Sequence, residues 1–553
     1  MSMAALAAPR RRVPRSRVPL WARLTLGVAI LILLPIAAVL AAAITPAGEA
    51  WLHIWRNSLP ELLGTTLALA LLVALMAGSA GAVTAWLITS CEFRGRQSLQ
   101  LALLLPLAMP AYVSGYAWTW LMDVAGPLQA TLRGATGLRY GEYWFPEMRS
   151  LPGAALVLAM VLYPYVYLLC RAAFLAQSTC LVEVSRTLGH SLSRCFWHVA
   201  LPLARPALAA GLALVLMETL ADFGTVQHFG LRTFTTGIYE AWFGMSDRGA
   251  ASQLAATLLL CVGLLLALEQ TSRGGRRFHP MTTRHAPFRP VPLAGWKALL
   301  AWLACAAPLL LGFVIPGSVL LALMIEAGDP LAVARFLPFL TNSLTLALIT
   351  AVLAVFIAAW LAWAVRLYPN APGRWANRAV SLGYAVPGSV IAVGTLVPFG
   401  LFDNALDAWL RGAFGFSSGL LLSGTIAALI FAYLVRFLGV ALSSVESGLA
   451  RLKPSFQSAA RSLGCGPGEA VLRVELPLSR GALLTAGILV FVDTMKELPA
   501  TLIVRPFDFD TLAVRVYNLA SDERLAEAST SALLIVIAGL LPVYALARAM
   551  NRS

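Results

Sequence analysis

Stretches of about twenty mostly apolar residues, the length that crosses a bilayer as a helix, recur along the chain and constrain its fold most. Because 59% of the 553 residues are hydrophobic, too little polar surface remains to cover a soluble globule. We therefore predict an all-α polytopic membrane protein with about 12 transmembrane helices. The predicted spans are residues 24–44, 62–89, 99–121, 153–176, 205–226, 252–270, 298–325, 341–365, 379–402, 419–442, 480–504 and 529–547.

The predicted spans form two homologous six-helix halves. Residues 1–23 are a basic N-terminal segment, and the halves at 24–270 and 297–553 are joined by a linker at 271–296 that is rich in arginine and proline. The first span could be read as a signal peptide cleaved near Ala41-Ala42-Ala43. Its apolar stretch is longer than the roughly 7–15 residues usual for a signal peptide, so we favour a retained anchor.

A short polar segment occurs once in each half. Glu183-Val184-Ser185-Arg186-Thr187-Leu188-Gly189 is followed twelve residues after the glycine by Leu201-Pro202. Ser458-Ala459-Ala460-Arg461-Ser462-Leu463-Gly464 is followed, again twelve residues after the glycine, by Leu476-Pro477. Each copy lies between apolar spans, which predicts two water-facing loops at 177–204 and 443–479, called the first and second repeated loops below.

The distribution of basic residues predicts the orientation. With the N-terminus inside, the cytoplasmic segments carry most of the arginines and lysines, as the positive-inside rule requires. Both termini, the linker and both repeated loops then lie in the cytoplasm. We therefore attribute the net charge of +15 to basic residues that orient the chain in the lipid bilayer, and not to a surface that binds nucleic acid.

The repeated loops resemble the loops through which inner-membrane permeases of ABC importers bind their ATPase. The family pattern is Glu-Ala-Ala, three residues, Gly, and then a spacer that ends in a hydrophobic residue and Pro. A glycine can adopt positive φ and end the short docking helix. The alternative is an ordinary amphipathic loop at the membrane surface. The predicted ATPase-docking residues are Glu183, Arg186, Gly189, Leu201, Pro202, Ala459, Ala460, Arg461, Gly464, Leu476 and Pro477.

The chain has no sequence for binding ATP phosphates. Its three lysines are Lys297, Lys453 and Lys496, and none follows a glycine, so no Gly-Lys-Ser/Thr phosphate loop exists. We predict no enzyme activity, no catalytic residue and no cofactor bound by this chain. Two docking loops imply two copies of a separate ATPase subunit that uses ATP.

Charged residues inside two predicted spans suggest a translocation path. Glu218 and Asp222 are spaced i, i+4, as are Asp493 and Glu497, with Lys496 between the second pair. Each pair is expected to share a helix face, and the duplication to set the faces opposite each other. Carboxylates would suit a hard cation; the alternatives are a structural ion-pair network or charges at the outer mouth.

Other residues in the spans carry weaker predictions. Tyr163, Tyr165 and Tyr167 are interpreted mainly as interfacial anchors, although they could supply oxygen ligands. Pro110 and Pro387 are expected to kink the third span of each half. None of the seven cysteines has metal-site spacing, and no metal ligands are assigned.

The segments around the intramembrane charges are similar to ferric iron permeases. Met217-Glu218-Thr219-Leu220-Ala221-Asp222-Phe223-Gly224-Thr225 resembles the first half of that family, and Asp493-Thr494-Met495-Lys496-Glu497-Leu498-Pro499-Ala500-Thr501 resembles the second. The resemblance implies a type I ABC importer permease fold in the bacterial inner membrane, with Fe(III) delivered by a periplasmic iron-binding protein. Within the same fold, thiamine, polyamine or another small cation remains an alternative substrate. A gradient-driven secondary transporter is the alternative from another class.

Overall fold

A computed structural model of the protein describes residues 20–44, 48–176, 185, 187, 189–273, 290–327, 332–369 and 371–550. Within these ranges the regular structure is helical except for two strands of two residues each. The prediction of an all-α membrane protein is confirmed. The long helices are the apolar segments, since a helix satisfies all its backbone hydrogen bonds internally in lipid.

The α-helices of the described residues divide between the two halves of the chain. Those of the first half are α1 (Leu20–Ala42), α2 (Glu49–His53), α3 (Leu59–Ser90), α4 (Arg96–Ala102), α5 (Ala111–Met122), α6 (Pro127–Thr136), α7 (Leu151–Ala176), α8 (Leu192–Cys195), α9 (Leu201–Leu203), α10 (Arg205–Ala221), α11 (Gly224–His228), α12 (Phe234–Tyr239) and α13 (Arg248–Arg273). Those of the second half are α14 (Trp296–Leu309), α15 (Ile315–Ala327), α16 (Ala332–Leu367), α17 (Ala371–Leu382), α18 (Gly388–Phe414), α19 (Ile426–Ala450), α20 (Pro454–Ser462), α21 (Pro467–Ala470), α22 (Leu476–Met495), α23 (Pro499–Val504), α24 (Leu512–Ser521) and α25 (Leu525–Met550).

Several helices continue into short turns of other helical types. Two turns are 3-10, at Leu105–Ala108 and Gly383–Ala385. The π-helical turns are Ile54–Ser58, Phe196–Ala200, Glu240–Gly244, Leu310–Val314 and Val471–Glu475. The strands β1 (Cys91–Glu92) and β2 (Val291–Pro292) pair in parallel, so the end of the predicted linker lies beside the end of α3.

The number of spans agrees with the predicted twelve. Among the described residues, 10 helices or helical runs are long and apolar enough to cross a membrane, and the number is 12 if two bent pairs each count as one. Residues 96–108 and 111–136 form one bent pair, at 93°. Residues 192–203 and 205–221 form the other, at 75°.

Several predicted span boundaries are wrong because prolines and glycines interrupt the apolar pattern. Pro110 precedes α5 and Pro387 precedes α18 with extended backbone, so each begins a helix and does not kink a continuous span. A proline has no N–H and clashes with the turn before it, which favours the start of a helix. The predicted span 419–442 begins only at Ile426, because Gly419 and Gly424 hold the preceding segment in a loop with φ of 63° and 73°.

The two halves share their hydrophobic cores. Helix α1 packs against α17 and α18 of the second half, and α15 packs against α5 of the first. One core cluster joins buried residues of α1 and α13 to those of α16, α18 and α19. The halves therefore interlock, and the four-part division of the chain at 23, 270 and 296 stays a prediction from sequence.

Candidate functional site

Both halves contain a break in a long helix at equivalent positions. Helix α10 ends at Ala221 and α11 begins at Gly224; α22 ends at Met495 and α23 begins at Pro499. Asp222 and Glu497, which are 275 residues apart in sequence, lie at the two breaks. The predicted spans 205–226 and 480–504 are therefore wrong in being continuous.

The carboxylates of Asp222 and Glu497 satisfy the free backbone N–H groups that follow each break. Asp222 Oδ1 accepts the N–H groups of Thr225 and Val226, each at 3.1 Å, and its Oδ2 accepts the Thr225 hydroxyl at 2.9 Å. Glu497 accepts the N–H groups of Ala500 and Thr501, each at 3.0 Å. Both acids therefore act as N-terminal caps of the short helices α11 and α23.

A cavity lies between the two breaks and takes its walls from both halves. All five residues of the predicted translocation path line this central cavity, so the structure brings them together. The remaining polar lining includes Tyr165, Tyr384 and Arg436. The role of these residues as a translocation path stays a prediction from sequence.

Glu218 and Asp493 have different surroundings from the two capping acids. The Tyr384 hydroxyl donates to Glu218 Oε1 at 2.8 Å, which links the first half to the second. Asp493 Oδ1 lies 2.9 Å from Lys496 Nζ. The expectation that Glu218 shares a helix face with Asp222, and Asp493 with Glu497, is wrong because both helices end before the second acid.

Two glycines allow the segments around the breaks to approach closely. A Cβ added at Gly224 would lie 2.7 Å from Tyr112 Cβ and 2.8 Å from Leu498 Cδ2. A Cβ at Gly388 would lie 2.6 Å from Arg436 Nη1 and 2.6 Å from Glu497 Oε1. A larger residue at position 224 would therefore push Leu498 of the second half away, and one at position 388 would displace Arg436 and Glu497 within the second half.

Tyr384 and Arg436 are cavity residues that the sequence analysis missed. Arg436 lies in the middle of α19, is only 8% exposed, and was detectable as a lone charge inside a predicted span. Tyr384 offers no such signal, since its neighbour Glu218 is 166 residues away.

Of the three tyrosines of the fourth span, Tyr163 and Tyr167 are buried and Tyr165 is half-buried, so they pack inside the protein and do not act as interfacial anchors. The hydroxyl groups of Tyr163 and Tyr167 donate to the carbonyls of Leu103 and Gln100, each at 3.0 Å. These two bonds hold α7 against the segment before α5. Tyr165 lies on the wall of the central cavity.

The second repeated loop has the turn that its sequence predicts. Helix α20 ends at Ser462, and Gly464 follows with φ of 92°. Ala459 and Arg461 are exposed and Ala460 is buried, while Leu463 is 85% exposed. Leu476 and Pro477 then begin α22. A proline is tolerated there because a backbone N–H in the first turn has no acceptor within the helix.

Of the first repeated loop, the structure describes Ser185, Thr187 and the residues from Gly189 onward. Glu183 and Arg186 lie outside the described residues. Gly189 has φ of 84°, and Ser191 caps α8 by accepting the Arg194 N–H at 3.3 Å. Leu201 and Pro202 open α9 and are half-buried.

The two repeated loops are joined to the long helices by different contacts. In the second, Glu475 Oε1 accepts the Arg366 Nε–H at 3.0 Å, and Arg366 also donates to the carbonyls of Leu449 at 2.8 Å and Leu452 at 3.1 Å. This buried ion pair connects the loop to α16 and α19. The residue equivalent to Glu475 in the first half is Ala200, 275 positions earlier.

In the first half an aromatic cluster takes the place of the ion pair. The ring of Trp86 on α3 lies 5.5 Å from that of Phe174 on α7 and 5.6 Å from that of Phe196 in the loop. Aromatic pairs at these distances pack favourably. Each repeated loop is therefore attached to two long helices.

The sequence leaves the metal ligands unassigned. Among the residues that the structure describes, no group of three or more His, Cys, Asp and Glu side chains is placed to hold a metal ion. The acids of the central cavity are instead engaged by the tyrosine, the lysine and the backbone.

Comparison with known proteins identifies a family over most of the chain. The family described as "Binding-protein-dependent transport system inner membrane component" matches residues 79–269 and again residues 354–553. The two matches fall one in each predicted half and include both repeated loops and both helix breaks.

Three relatives illustrate the range of similar proteins. The Fe(3+)-transport system permease protein FbpB 2 of Haemophilus influenzae is 28% identical over 547 residues, which cover 97% of this chain and 99% of the relative. A putative 2-aminoethylphosphonate transport system permease protein, PhnV of Salmonella typhimurium, is 28% identical over 38% of this chain and 74% of its own length. The molybdenum transport system permease protein ModB of Escherichia coli is 29% identical over 35% of this chain and 88% of its own length.

Proposed function

The chain belongs to the family of binding-protein-dependent transport system inner membrane components, and from this premise we propose that it is the fused permease of an ATP-driven importer of Fe(III). The protein is a multi-pass inner-membrane permease with the type I ABC permease fold, duplicated within one chain.

One observation carries the assignment of iron. The similarity to a Fe(3+)-transport permease extends over 97% of this chain and 99% of the relative, so it includes the fusion of two halves. The central cavity supports the assignment, because four carboxylates line it and carboxylate oxygens suit a hard cation. Fe(III) is the substrate here and not a resident cofactor.

ATP hydrolysis on a partner would drive transport through the repeated loops. We assign one ATPase subunit to each loop, hence two copies, with both loops and both termini in the cytoplasm. The exposed Leu463 and the positive φ of Gly464 give the second loop an apolar tip on a fixed turn. On the opposite side, the periplasmic iron-binding protein would contact loops such as 227–251 and 505–528. This chain itself would bind no ATP and no cofactor.

Relatives of this chain are also named for cargoes other than iron. The relatives named for 2-aminoethylphosphonate and molybdenum transport show that similar chains serve different cargoes. Thiamine, polyamines and other small cations remain alternatives for an acidic cavity. A gradient-driven secondary transporter is disfavoured by the family, whose members work with a binding protein.

Uptake into proteoliposomes tests the substrate. The vesicles would contain this chain and its ABC ATPase partner, with its binding protein outside and labelled Fe(III), thiamine or polyamine supplied in separate reactions. We expect ATP-dependent accumulation of iron only. Accumulation of another compound in place of iron would keep the importer and reject the metal, and accumulation of none, with all components folded, would reject both.

A further inference from the structure

Arg436 is a buried cation on the wall of the central cavity. It projects from the middle of α19, which spans residues 426–450, and is only 8% exposed. A charge at this depth is expensive unless it is paired, and intramembrane charges are therefore functional candidates.

The guanidinium group of Arg436 is incompletely paired. Its Nε and Nη1 atoms have no hydrogen-bond partner among the described residues. The carboxylate of Glu497 is its ion-pair partner, yet Nη1 and Oε1 are 3.8 Å apart, beyond hydrogen-bond distance. Both oxygens of Glu497 already accept hydrogen bonds from Ala500 and Thr501. The guanidinium carbon also lies 5.6 Å from the ring centroid of Phe437.

The cationic residues of the cavity come from the second half alone. Arg436 and Lys496 correspond, at the offset of 275, to Val161 and Ala221 in the first half, whereas the acids Glu218 and Asp222 correspond to Asp493 and Glu497. Duplication therefore repeated the acids, and the cations stand on one side only. A guanidinium group on the cavity wall would repel a bare trivalent cation, because both are positively charged.

We propose that Arg436 binds an oxyanion of the phosphate or carboxylate class that accompanies the ferric ion through the cavity. The planar guanidinium fork matches two oxygens of such an anion, and its free donors supply the bonds. The anion would lower the charge that crosses the membrane, while Glu218 and Asp222 of the first half would face the metal. This inference rests on the proposed iron-importer function.

Anion binding is measured first, independently of transport. The purified full chain in nanodiscs of phosphatidylcholine is titrated with inorganic phosphate or with citrate at constant ionic strength, and thermal unfolding is recorded. We expect at least one anion to raise Tm in the wild type. Arg436→Gln should weaken the apparent affinity by about tenfold or more, since hydrogen bonds to charged groups are lost. Arg436→Lys keeps the charge but lacks the planar guanidinium group. Its Tm should therefore rise at anion concentrations between those that the wild type and Arg436→Gln need.

Arg480→Gln is the matched control. Arg480 is an exposed cation at the start of α22, outside the central cavity, with no ion-pair partner among the described residues. Arg480→Gln changes the net charge by the same amount as Arg436→Gln, and it should leave the rise in Tm with added anion unchanged. No rise in Tm with either anion, or an equal rise in Arg436→Gln, would overturn the inference.

Double-label uptake identifies the anion and separates this inference from the proposed function. Proteoliposomes receive labelled Fe(III) together with labelled phosphate or labelled citrate, and the label that enters with iron in an ATP-dependent manner names the source. Iron uptake with neither anion would overturn the inference and keep the iron importer. Uptake of neither iron nor anion would overturn both.

Discussion

The ion pair between Glu475 and Arg366 should decide how firmly the second repeated loop is attached to the membrane helices. The Glu475 side chain is 2% exposed and that of Arg366 is 20% exposed. Removing one partner of a buried pair costs roughly 3–5 kcal/mol. Because Arg366 keeps two carbonyl acceptors and some solvent contact, we expect the lower end, about 3 kcal/mol, for Glu475→Ala.

Hydrogen exchange measures this loss locally. A penalty of about 3 kcal/mol raises the opening constant of the loop roughly 100-fold, and amide exchange reports that constant. Exchange of residues 453–475 should therefore be about 100-fold faster in Glu475→Ala than in the wild type. Glu475→Gln should show a smaller effect, since its amide oxygen still accepts from Arg366.

A second acidic residue supplies the control for this prediction. Glu92 pairs with Arg96 at 2.5 Å, but its side chain is 52% exposed, so Glu92→Ala should cost under about 1 kcal/mol. Unchanged exchange of the second loop in Glu475→Ala would refute the argument. So would equal effects of Glu475→Ala and Glu92→Ala on that loop.

Three further predictions concern the central cavity. Glu218→Gln combined with Asp493→Asn should slow ATP-dependent iron uptake at least tenfold while membrane insertion stays normal; unchanged uptake would make these acids structural. Asp222→Ala and Glu497→Ala each remove a helix cap and should destabilise the protein by about 1–2 kcal/mol in thermal unfolding, and equal stability would reject the capping role. Tyr384→Phe removes the hydroxyl that bonds Glu218 and should cost about 1 kcal/mol of stability, whereas no loss would show that the bond between the halves contributes nothing.

The recurring apolar stretches predicted most of the fold, but they did not show where single residues end a helix. The window through 205–226 is apolar enough to read as one span, so the break at Asp222 is hidden. Pro499, three residues after Lys496, was a helix-start signal that could have located the second break. Pro110 and Pro387 likewise mark helix starts that hydropathy alone does not show.

The candidate site was likewise only partly predictable from the sequence. Spacing and duplication identified the acids that line the central cavity, because their positions repeat at one offset. Tyr384 could not be predicted, since its contact with Glu218 depends on how the two halves pack. The different attachments of the two repeated loops, through Glu475 in one and Phe196 in the other, also arise from tertiary contacts.

The most direct test of an importer driven through its repeated loops is iron uptake by variants of Gly464. A Cβ there would meet no atom within 4 Å, so only the φ of 92° resists substitution. Asparagine tolerates this conformation, whereas valine does not, at a cost of roughly 1–2 kcal/mol. In proteoliposomes with the ATPase and binding protein, Gly464→Asn should retain ATP-dependent uptake and Gly464→Val should lose about fivefold or more. Normal uptake by Gly464→Val, inserted at wild-type level, would contradict the account.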